Sequence, residues 1–454
     1  MLDLNSRILI FGGGGTIGSS TALHLARKGY RNIRVLDVYP IPSAQSAGND
    51  LNKIMGTSLR NPVDKQLSLE AEDAWHQKGY DNSLCRSNDP TFTAYYHRSG
   101  RLDCCGSPDG IEDLENTIAK LKDAGLGHTV EWLDTEAQII RRVPQLAGSD
   151  IQGWKGIFFE QGGWLAAAKA IDSVGRELVR HGVQFSFGDS GTFQSLILSN
   201  DGKTCLGATT KDGTQYIADR VVLASGAWTP SLVDLEDQCC SKAWVYAHMQ
   251  LTSEEIKEYA DCPVVYNEDL GFFFEPDEHG IIKVCDEFPG FTRYKMHQPF
   301  GTPEPKSVSV PRSHARHPTD TYPDASEITI NKAIAALLPK FKDKELFNRA
   351  MCWCADTADA NLLICEHPRW KNLFVATGDS GHSFKLLPII GKHVVELLEG
   401  TLQEDLRESW RWRPGSGDAR KSRRAAPAED LADLPGWKHD PATDTKTQAN
   451  LTVQ

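Results

Sequence analysis

The stretch Ile8-Leu-Ile-Phe-Gly-Gly-Gly-Gly-Thr-Ile-Gly18 near the start of the chain decides its fold. Its first four residues are apolar and predict a buried strand, and residues 16–28 carry apolar side chains at helical spacing. A second apolar run at 33–36 predicts the next strand. Strand, helix and strand in this order form a β-α-β unit, the building block of a parallel sheet. The sequence therefore predicts an α/β fold.

The glycine turn inside this unit has the pattern Gly13-x-Gly15-x-x-Gly18, and Asp37 ends the second strand. Gly13 permits the tight turn, Gly15 lets the backbone approach a pyrophosphate, and Gly18 lets the helix pack closely on the strands. The helix N-terminus favours phosphate charge, and Asp37 can accept hydrogen bonds from a ribose. The pattern predicts a Rossmann-type domain for NAD or FAD, and the acid argues against a 2′-phosphate.

Two later turns favour FAD over NAD. Residues 220–228 resemble a strand that ends in small residues, and residues 377–385 form a glycine-bearing turn between a strand and a helix. Backbone N–H groups at the second of these turns would stabilise the negative charge that develops on a reduced flavin. Each turn alone could be an ordinary β-α connection, which leaves a nicotinamide-linked dehydrogenase as the alternative. Three turns converging on one ligand favour a flavoprotein.

The composition excludes several other classes of function. The chain of 454 residues has a formal net charge of −12, which argues against a protein that neutralises nucleic-acid phosphates. With 40% apolar residues it can bury large cores. No apolar run approaches the roughly 20 residues that cross a bilayer. No signal-peptide core precedes the first strand, so we expect a protein that stays inside the cell.

The cysteine pattern predicts neither disulfides nor a metal site. Eleven cysteines are an odd number without a repeating frame, so we expect most of them to be reduced and buried. Their close pairs lack the ligand spacing of structural zinc sites.

The remaining strand signals indicate two interleaved domains. Buried, parallel-sheet runs lie at 183–187, 216–224 and 373–376, and alternating strands lie at 271–275 and 281–285. We predict a discontinuous FAD-binding domain from 1–60, 151–234 and 346–412. An α+β substrate domain with a mixed sheet is predicted from 61–150 and 235–345, and the tail 413–454 is predicted to be partly packed and then disordered.

Taken together, these residues resemble the fructosyl amino acid and fructosyl peptide oxidases, or amadoriases, within the sarcosine-oxidase-like and D-amino-acid-oxidase-like flavoproteins. The matching stretches are 12–25, 39–54, 153–156, 162–165, 271–276, 282–287, 351–354 and 378–385. The resemblance implies a glutathione-reductase-like FAD domain and FAD-dependent oxidation of the sugar–nitrogen C–N bond by O₂. The products would be glucosone, the free amino acid or peptide, and H₂O₂. The alternatives are an oxidase of another secondary amine, such as sarcosine or pipecolate, and a non-catalytic, flavin-stabilised interaction protein.

The resemblance also implies how the cofactor is held. It assigns Cys352 as the residue that links FAD through a thioether at the 8α position. In an extended segment Cys352 and Cys354 face the same way, so their positions alone do not choose between them, and two buried thiols are the plainer alternative. The full set of predicted cofactor contacts is Gly13, Gly15, Thr16, Ile17, Gly18, Asp37, Ser46, Asn52, Lys53, Gly226, Cys352, Gly381, Phe384 and Lys385.

Three residues are predicted by resemblance to be catalytic. Lys283 would lie over the flavin, where a fixed ammonium stabilises superoxide during oxygen reduction. Glu287 would contact the fructosyl hydroxyls or the substrate amine, and Lys385 would bind the substrate carboxylate. Lys283 and Glu287 share one face of a strand-like segment, so an exposed and functionally silent ion pair is the alternative for them.

The substrate side is predicted in less detail. Arg60 is expected at the mouth of the pocket, and Trp244 is a candidate wall that could equally be a core residue. The sugar-contacting arginine of the family falls in the basic stretch 411–424, where Arg420 or Lys421 is the best candidate. Relatives often end in a Ser-Lys-Leu-like peroxisomal signal, whereas this sequence ends in Leu451-Thr-Val-Gln454, so we expect a cytoplasmic protein, with peroxisomal import by another route as the alternative. We also expect a monomer.

Overall fold

The computed structural model describes residues 2–76, 89–267, 269–421, 427–435 and 437, and the side chains of Glu287 and Phe288 lie outside the described part. The helices are α1 (Thr16–Lys28), α2 (Pro62–Trp75), α3 (Pro90–Thr93), α4 (Pro108–Asp123), α5 (Glu136–Arg142), α6 (Ala167–Arg180), α7 (Thr229–Leu232), α8 (Ser253–Tyr259), α9 (Asp324–Leu337), α10 (Ile390–Glu399) and α11 (Glu404–Trp410). Over these residues, no helix combines the length and apolarity needed to cross a membrane.

The strands form two large sheets and three small ones. They are β1 (Arg7–Phe11), β2 (Asn32–Asp37), β3 (Lys53–Met55), β4 (Tyr96–His97), β5 (Arg101–Cys105), β6 (Val130–Leu133), β7 (Lys155–Phe159), β8 (Gly163–Leu165), β9 (Gln184–Phe187), β10 (Phe193–Leu198), β11 (Cys205–Thr210), β12 (Gln215–Ile217), β13 (Arg220–Leu223), β14 (Cys239–Gln250), β15 (Val264–Asn267), β16 (Gly271–Phe273), β17 (Ile281–Thr292), β18 (Tyr294–His297), β19 (Lys306–Ser309), β20 (Leu346–Thr357), β21 (Leu363–Glu366), β22 (Leu373–Thr377) and β23 (Glu429–Asp430).

The first large sheet contains the predicted β-α-β unit. Its six strands have the order β21-β22-β13-β1-β2-β9, and all neighbours are parallel except β21 and β22. Apolar side chains of β1, β2 and α1 fill its cores. The helix predicted over 16–28 is confirmed, and it ends at Gly29, whose φ of 98° favours glycine. The predicted α/β architecture is thereby confirmed.

Parallel pairing brings the three glycine-bearing turns to one edge of this sheet. Phe11 at the end of β1 pairs with Leu223 of β13, and Leu223 pairs with Val375 of β22. The turns that follow these strands therefore all leave from the carboxyl edge, where doubly wound sheets bind ligands.

The strand predicted over 216–224 is two strands in different sheets. β13 joins the parallel sheet, whereas β12 pairs antiparallel with β11 in a small three-stranded sheet. The chain turns at Ala218 and Asp219, because the Asp219 carboxylate accepts hydrogen bonds from the backbone N–H (2.8 Å) and the guanidinium of Arg7. Ala218 donates its own N–H to Leu206 of β11. Continuous apolar patterning could not reveal this break.

The second large sheet is mixed and has nine strands. Its main order is β20-β14-β17-β16-β15-β5-β7-β6, and β23 pairs with β17. The strands predicted at 271–275 and 281–285 are confirmed as β16 and the longer β17. β20 pairs with β14 in this sheet, although residues 346–412 were assigned to the FAD-binding part by the sequence pattern. The division into domains stays a prediction.

The described part of the tail packs against the second sheet. Glu429 of β23 pairs with Phe291 of β17, and Leu431 is completely buried in the core of that sheet. The disorder predicted for the end of the chain lies outside the described residues.

Candidate active site

The first glycine turn joins β1 to α1 with no room for side chains. Gly12 donates its N–H to Leu36 at 2.9 Å, which ties the turn to β2. A Cβ on Gly18 would lie 2.4 Å from the Gly12 oxygen, so the helix can approach the turn only with glycine there. Gly15 is the N-cap and offers no capping side chain, so the first N–H groups of α1 remain available to an anion.

Asp37 lies beside this turn and is already oriented by the protein. Its carboxylate accepts hydrogen bonds from the Gly14 N–H at 3.0 Å and from Ser43 Oγ at 2.7 Å. Burial raises the pKa of Asp37, although these hydrogen bonds oppose the shift. A fixed acceptor at the end of β2 is suited to a ribose hydroxyl.

A cavity of about 230 Å³ extends from Asp37 past the start of α1. Of the predicted cofactor contacts it is lined by Gly15, Thr16, Ile17, Asp37, Ser46, Lys53, Gly226, Gly381 and Phe384. Gly13 and Gly18 line neither this cavity nor the one described next. Gly13 instead lies against Val35, where an added Cβ would meet Val35 Cγ1 at 2.4 Å.

A second and larger cavity of about 420 Å³ adjoins the first. Of the predicted residues it is lined by Asn52, Lys53, Arg60, Trp244, Lys283, Cys352, Gly381, Phe384 and Lys385. Lys53, Cys354, Gly381 and Phe384 line both cavities, so the two volumes meet at these side chains. The site is therefore a groove that runs from Asp37 and opens into a wider chamber.

A buried cluster of charges lies at the junction, and we call Asp50, Lys53 and Lys283 the cavity cluster. The Lys283 ammonium lies 2.5 Å from Asp50 Oδ2 and donates to the Asn52 carbonyl at 3.2 Å. Lys53 also reaches Asp50 Oδ2, at 2.7 Å. Burial opposes ionisation, but the two ammonium groups hold the pKa of Asp50 below its usual range. Because Asp50 fixes it, Lys283 presents a positive charge at a defined position.

The two thiols of β20 lie beside this cluster, and their side chains share one face of the strand. Lys53 Nζ lies 3.7 Å from Cys352 Sγ. A hydrogen bond from Cys354 and the charge of Lys53 lower the pKa of Cys352, although burial opposes the shift. The same interaction and burial raise the pKa of Cys354. Cys352 is therefore the better nucleophile of the pair, a distinction that the sequence alone could not make.

Lys385 and Arg60 lie on the outer side of the larger cavity. Lys385 donates to the Gly56 carbonyl at 2.9 Å, and burial together with the charge of Arg101 lowers its pKa to about 8. Arg60 pairs with Asp64 at 2.6 Å and donates to the Ala360 carbonyl at 2.9 Å. Both cations face the volume in which a substrate carboxylate could lie.

Two predictions for the substrate side have different outcomes. The side chain of Glu287 lies outside the described residues, so its role stays a prediction. Arg420 pairs with Asp418 at an exposed position, and neither Arg420 nor Lys421 lines the two cavities. In the described part of the chain, Arg420 and Lys421 therefore do not contact the chamber.

Sequence reasoning missed several polar residues of the cavities. Asp50 holds both lysines, Asp379 lines the smaller cavity, and Tyr246 lies 5.0 Å from the Lys283 ammonium. Arg101 and Asp103 form an ion pair of 2.5 Å in the wall of the larger cavity. Alternation along β5 could have placed Arg101 and Asp103 on one face, but only the fold shows that this face lines the chamber.

One observation tests whether a flavin nucleotide fits this site. Asn52 is completely buried, yet neither Oδ1 nor Nδ2 has a hydrogen-bond partner within the described ranges. An amide left unpaired inside a protein is costly, so it indicates a ligand that both donates and accepts. The edge of an isoalloxazine ring alternates carbonyl and N–H groups. The junction residues, the N-terminus of α1 without a side-chain cap and Asp37 together fit FAD.

Known proteins are similar to this chain over nearly its whole length. Residues 8–397 match the family described as FAD dependent oxidoreductase (DAO). L-saccharopine oxidase of Schizosaccharomyces pombe is 32% identical over 430 residues, which cover 90% of this chain and 93% of that protein. The solved fructosyl peptide oxidase from E. terrenum is 61% identical with a TM-score of 0.92, covering 97% of this chain and 99% of that one. Fructosamine oxidase (Amadoriase II) from Aspergillus fumigatus is 34% identical with a TM-score of 0.82, covering 95% and 97%.

Proposed function

Because the chain belongs to the family of FAD-dependent oxidoreductases, we propose that it oxidises the C–N bond of fructosyl amino acids or fructosyl peptides with O₂. The products are glucosone, the free amino acid or peptide, and H₂O₂. The family assignment confirms the predicted flavoprotein fold and FAD as the cofactor. The fructosyl substrate is favoured by the solved fructosyl peptide oxidase, which is 61% identical over almost the entire chain.

The observation that carries the proposal is the junction of the two cavities. A nucleotide held along Asp37 and the start of α1 would bring its ring to Lys53 and Phe384, where the chamber begins. When bound, FAD accepts a hydride from the substrate carbon and passes the electrons to O₂. The reaction therefore takes place where Lys283 is fixed by Asp50.

Three of the charged residues that line the chamber have a proposed role. Lys283 supplies a preorganised positive charge for the negative charge that develops on oxygen. Lys385 and Arg60 attract the carboxylate of the amino acid or peptide, which orients the fructosyl group toward the junction. Trp244 and Tyr246 form apolar walls of the chamber and exclude water from the reacting carbon.

Covalent attachment of FAD through Cys352 is part of the proposal. It is supported by the lowered pKa of Cys352 and by the Lys53 ammonium at 3.7 Å, since both favour the nucleophilic thiolate. Flavin absorbance that stays with the protein after acid precipitation would support the link. Colour released into the supernatant would contradict the link while leaving FAD binding intact.

A substrate panel with a peroxide readout tests the proposed activity. We expect the purified yellow enzyme to release H₂O₂ with fructosyl-valine and with a fructosyl dipeptide, and not with sarcosine or pipecolate. If the enzyme releases peroxide with sarcosine alone, it is an oxidase of another secondary amine and the proposed fructosyl substrate is wrong. A colourless enzyme that requires NAD would contradict the flavin chemistry altogether.

The remaining predictions concern the whole molecule. We propose that the enzyme works as a monomer in the cytoplasm and that the chain divides into the two interleaved domains described above. Gel filtration of the flavin-loaded enzyme tests the first statement, because a dimer would elute at twice the monomer mass.

A further inference from the structure

The third glycine-bearing turn, residues 377–385, is attached to β20 by three hydrogen bonds. Asp379 Oδ1 accepts from the Ala355 N–H at 2.7 Å, and the Ser380 N–H donates to the Ala355 carbonyl at 2.9 Å. The Thr357 N–H donates to Ser380 Oγ at 3.2 Å. The turn that lines the smaller cavity is thus fixed to the strand that carries the two thiols.

The backbone of this turn depends on those bonds. Ser380 is completely buried and has a φ of 44°, in the left-handed region that a residue with a side chain rarely adopts. Such a conformation persists only where the surroundings determine it. Asp379 and Ser380 make all three of these bonds to β20 and so hold the turn in this shape.

The second carboxylate oxygen of Asp379, Oδ2, does not bind the backbone of β20. Asp379 lines the smaller cavity, and its Oδ2 receives no hydrogen bond from the described residues. Ser383 and His382 donate to the backbone carbonyl of Asp379, not to its side chain. One oxygen therefore holds the turn, and the other is available to a molecule in the cavity.

The surroundings of Asp379 bring its ionisation close to neutral pH. Burial raises the pKa of Asp379 to about 7, the Ala355 N–H opposes the shift, and the charge of Asp356 adds to it. Cys352 also adds to the shift as a thiolate, a contribution that disappears once FAD is linked to it. The titratable and charged groups that face this carboxyl are Asp356, Cys352 and Cys354 on β20, Cys239 on β14, and Lys53 on β3. Lys242 on β14 pairs with Asp356 at 3.1 Å.

We propose that Asp379 is a positioning residue whose Oδ1 fixes the turn to β20 and whose Oδ2 presents an ionisable group to the bound flavin. The charge of this group sets how readily the flavin is reduced. A neutral carboxylic acid leaves reduction unhindered, whereas a carboxylate disfavours the added electrons. The inference rests on the proposed function, because it requires flavin in the joined cavities.

The test compares Asp379→Asn with the wild-type enzyme, both loaded with FAD. Asparagine keeps an oxygen acceptor for the Ala355 N–H but cannot ionise. We expect an unchanged flavin-to-protein ratio, an unchanged midpoint potential at pH 6, and a higher midpoint potential than wild type at pH 8.5. Asp418→Asn, which removes an exposed carboxylate outside both cavities, is the matched control and should follow wild type at both pH values.

A second variant, Asp379→Ala, removes the attachment as well as the charge. We expect its flavin-to-protein ratio to fall below that of Asp379→Asn. The inference is overturned if Asp379→Asn follows the wild-type potential at both pH values, or if Asp379→Ala retains flavin as well as Asp379→Asn does. A wild-type protein that binds no flavin would instead overturn the proposed function, and this inference with it.

Discussion

The described part of the protein holds buried charge in several places, and two of these clusters have different surroundings. The cavity cluster of Asp50, Lys53 and Lys283 borders the chamber, and Lys53 lines both cavities. The helix cluster, which we define as Glu70, Lys392, His393 and Glu396, lies between α2 and α10. There the His393 ring nitrogens lie 3.1 Å from Glu70 and 2.9 Å from Glu396.

The helix cluster is complete without a ligand. Both nitrogens of His393 can donate only as the imidazolium, and each faces a carboxylate. Burial opposes this charge, but the two carboxylates raise the pKa of His393. Lys392 pairs with Glu70 at 2.7 Å. The cavity cluster, in contrast, holds its lysines against open volume and beside a thiol. The cavity cluster is therefore placed to act on a bound molecule, whereas the helix cluster is placed to hold α2 against α10.

The largest expected effect is on stability, at the helix cluster. His393→Ala removes a buried imidazole and its hydrogen bonds to two partly exposed carboxylates, and because a hydrogen bond to a charged group contributes roughly 1.5–3 kcal/mol, the two bonds together should contribute about 3 kcal/mol. We expect a loss of that size in urea unfolding, while peroxide production by the folded enzyme stays unchanged. His181→Ala, which removes an exposed histidine, is the control. A His393→Ala enzyme as stable as the control would show that this cluster has another role.

The next effect is on substrate binding at the cavity. Lys385→Met should raise KM for fructosyl-valine by about tenfold to a hundredfold, because a hydrogen bond to a charged group contributes roughly 1.5–3 kcal/mol. A fructosyl amine without a carboxylate should bind both enzymes equally well. If wild type and Lys385→Met have equal KM values for fructosyl-valine, Lys385 does not bind the substrate carboxylate.

The pH dependence of KM gives a smaller effect. Because burial and Arg101 lower the pKa of Lys385 to about 8, its positive charge is present below that pH and lost above it. We expect wild-type KM for fructosyl-valine to rise by up to about tenfold per pH unit above pH 8. The Lys385→Met enzyme should not show this rise. If KM of the Lys385→Met enzyme rises equally above pH 8, the rise comes from the titration of a group other than Lys385.

The smallest expected effect is the change with pH in the stability that His393 of the helix cluster contributes. The pKa of His393 is raised on folding, so its stabilisation is present below about pH 6.5 and is lost as the pH rises through the folded pKa. The stability difference between wild type and His393→Gln should therefore shrink from pH 6 to pH 9. His24, His248 and His367, whose pKa values are lowered by burial, occur in both proteins and cancel. A constant difference would contradict a charged His393.

The comparison also shows what the sequence could and could not predict. The turn before α1 is local, so its glycines, helix and following Asp37 were predictable from spacing alone. Lys283, Lys385 and Cys352 were predicted only by family resemblance, because their partners come from distant strands. Asp50 pairs with Lys283 across 233 positions of sequence, and no periodicity reveals such a contact. Asp379 was missed because its position in a turn gives no signal until β20 packs against it.

The break at Ala218 illustrates a second limit. Apolar runs on both sides of it belong to different sheets, and the Arg7–Asp219 pair together with the Ala218–Leu206 hydrogen bond marks where they separate. Hydrophobic patterning reports burial, whereas strand membership depends on the partners available in the folded chain.

The measurement that tests the central claim most directly is reoxidation of the reduced enzyme by O₂, followed by flavin absorbance in wild type, Lys283→Met and His393→Gln. Removing one preorganised charge at the cavity should slow reoxidation by about 10²–10³. The flavin should remain bound in all three proteins, and His393→Gln should reoxidise at the wild-type rate. Wild-type reoxidation by Lys283→Met would contradict the account, because the cavity cluster would then be as silent in oxygen chemistry as the helix cluster.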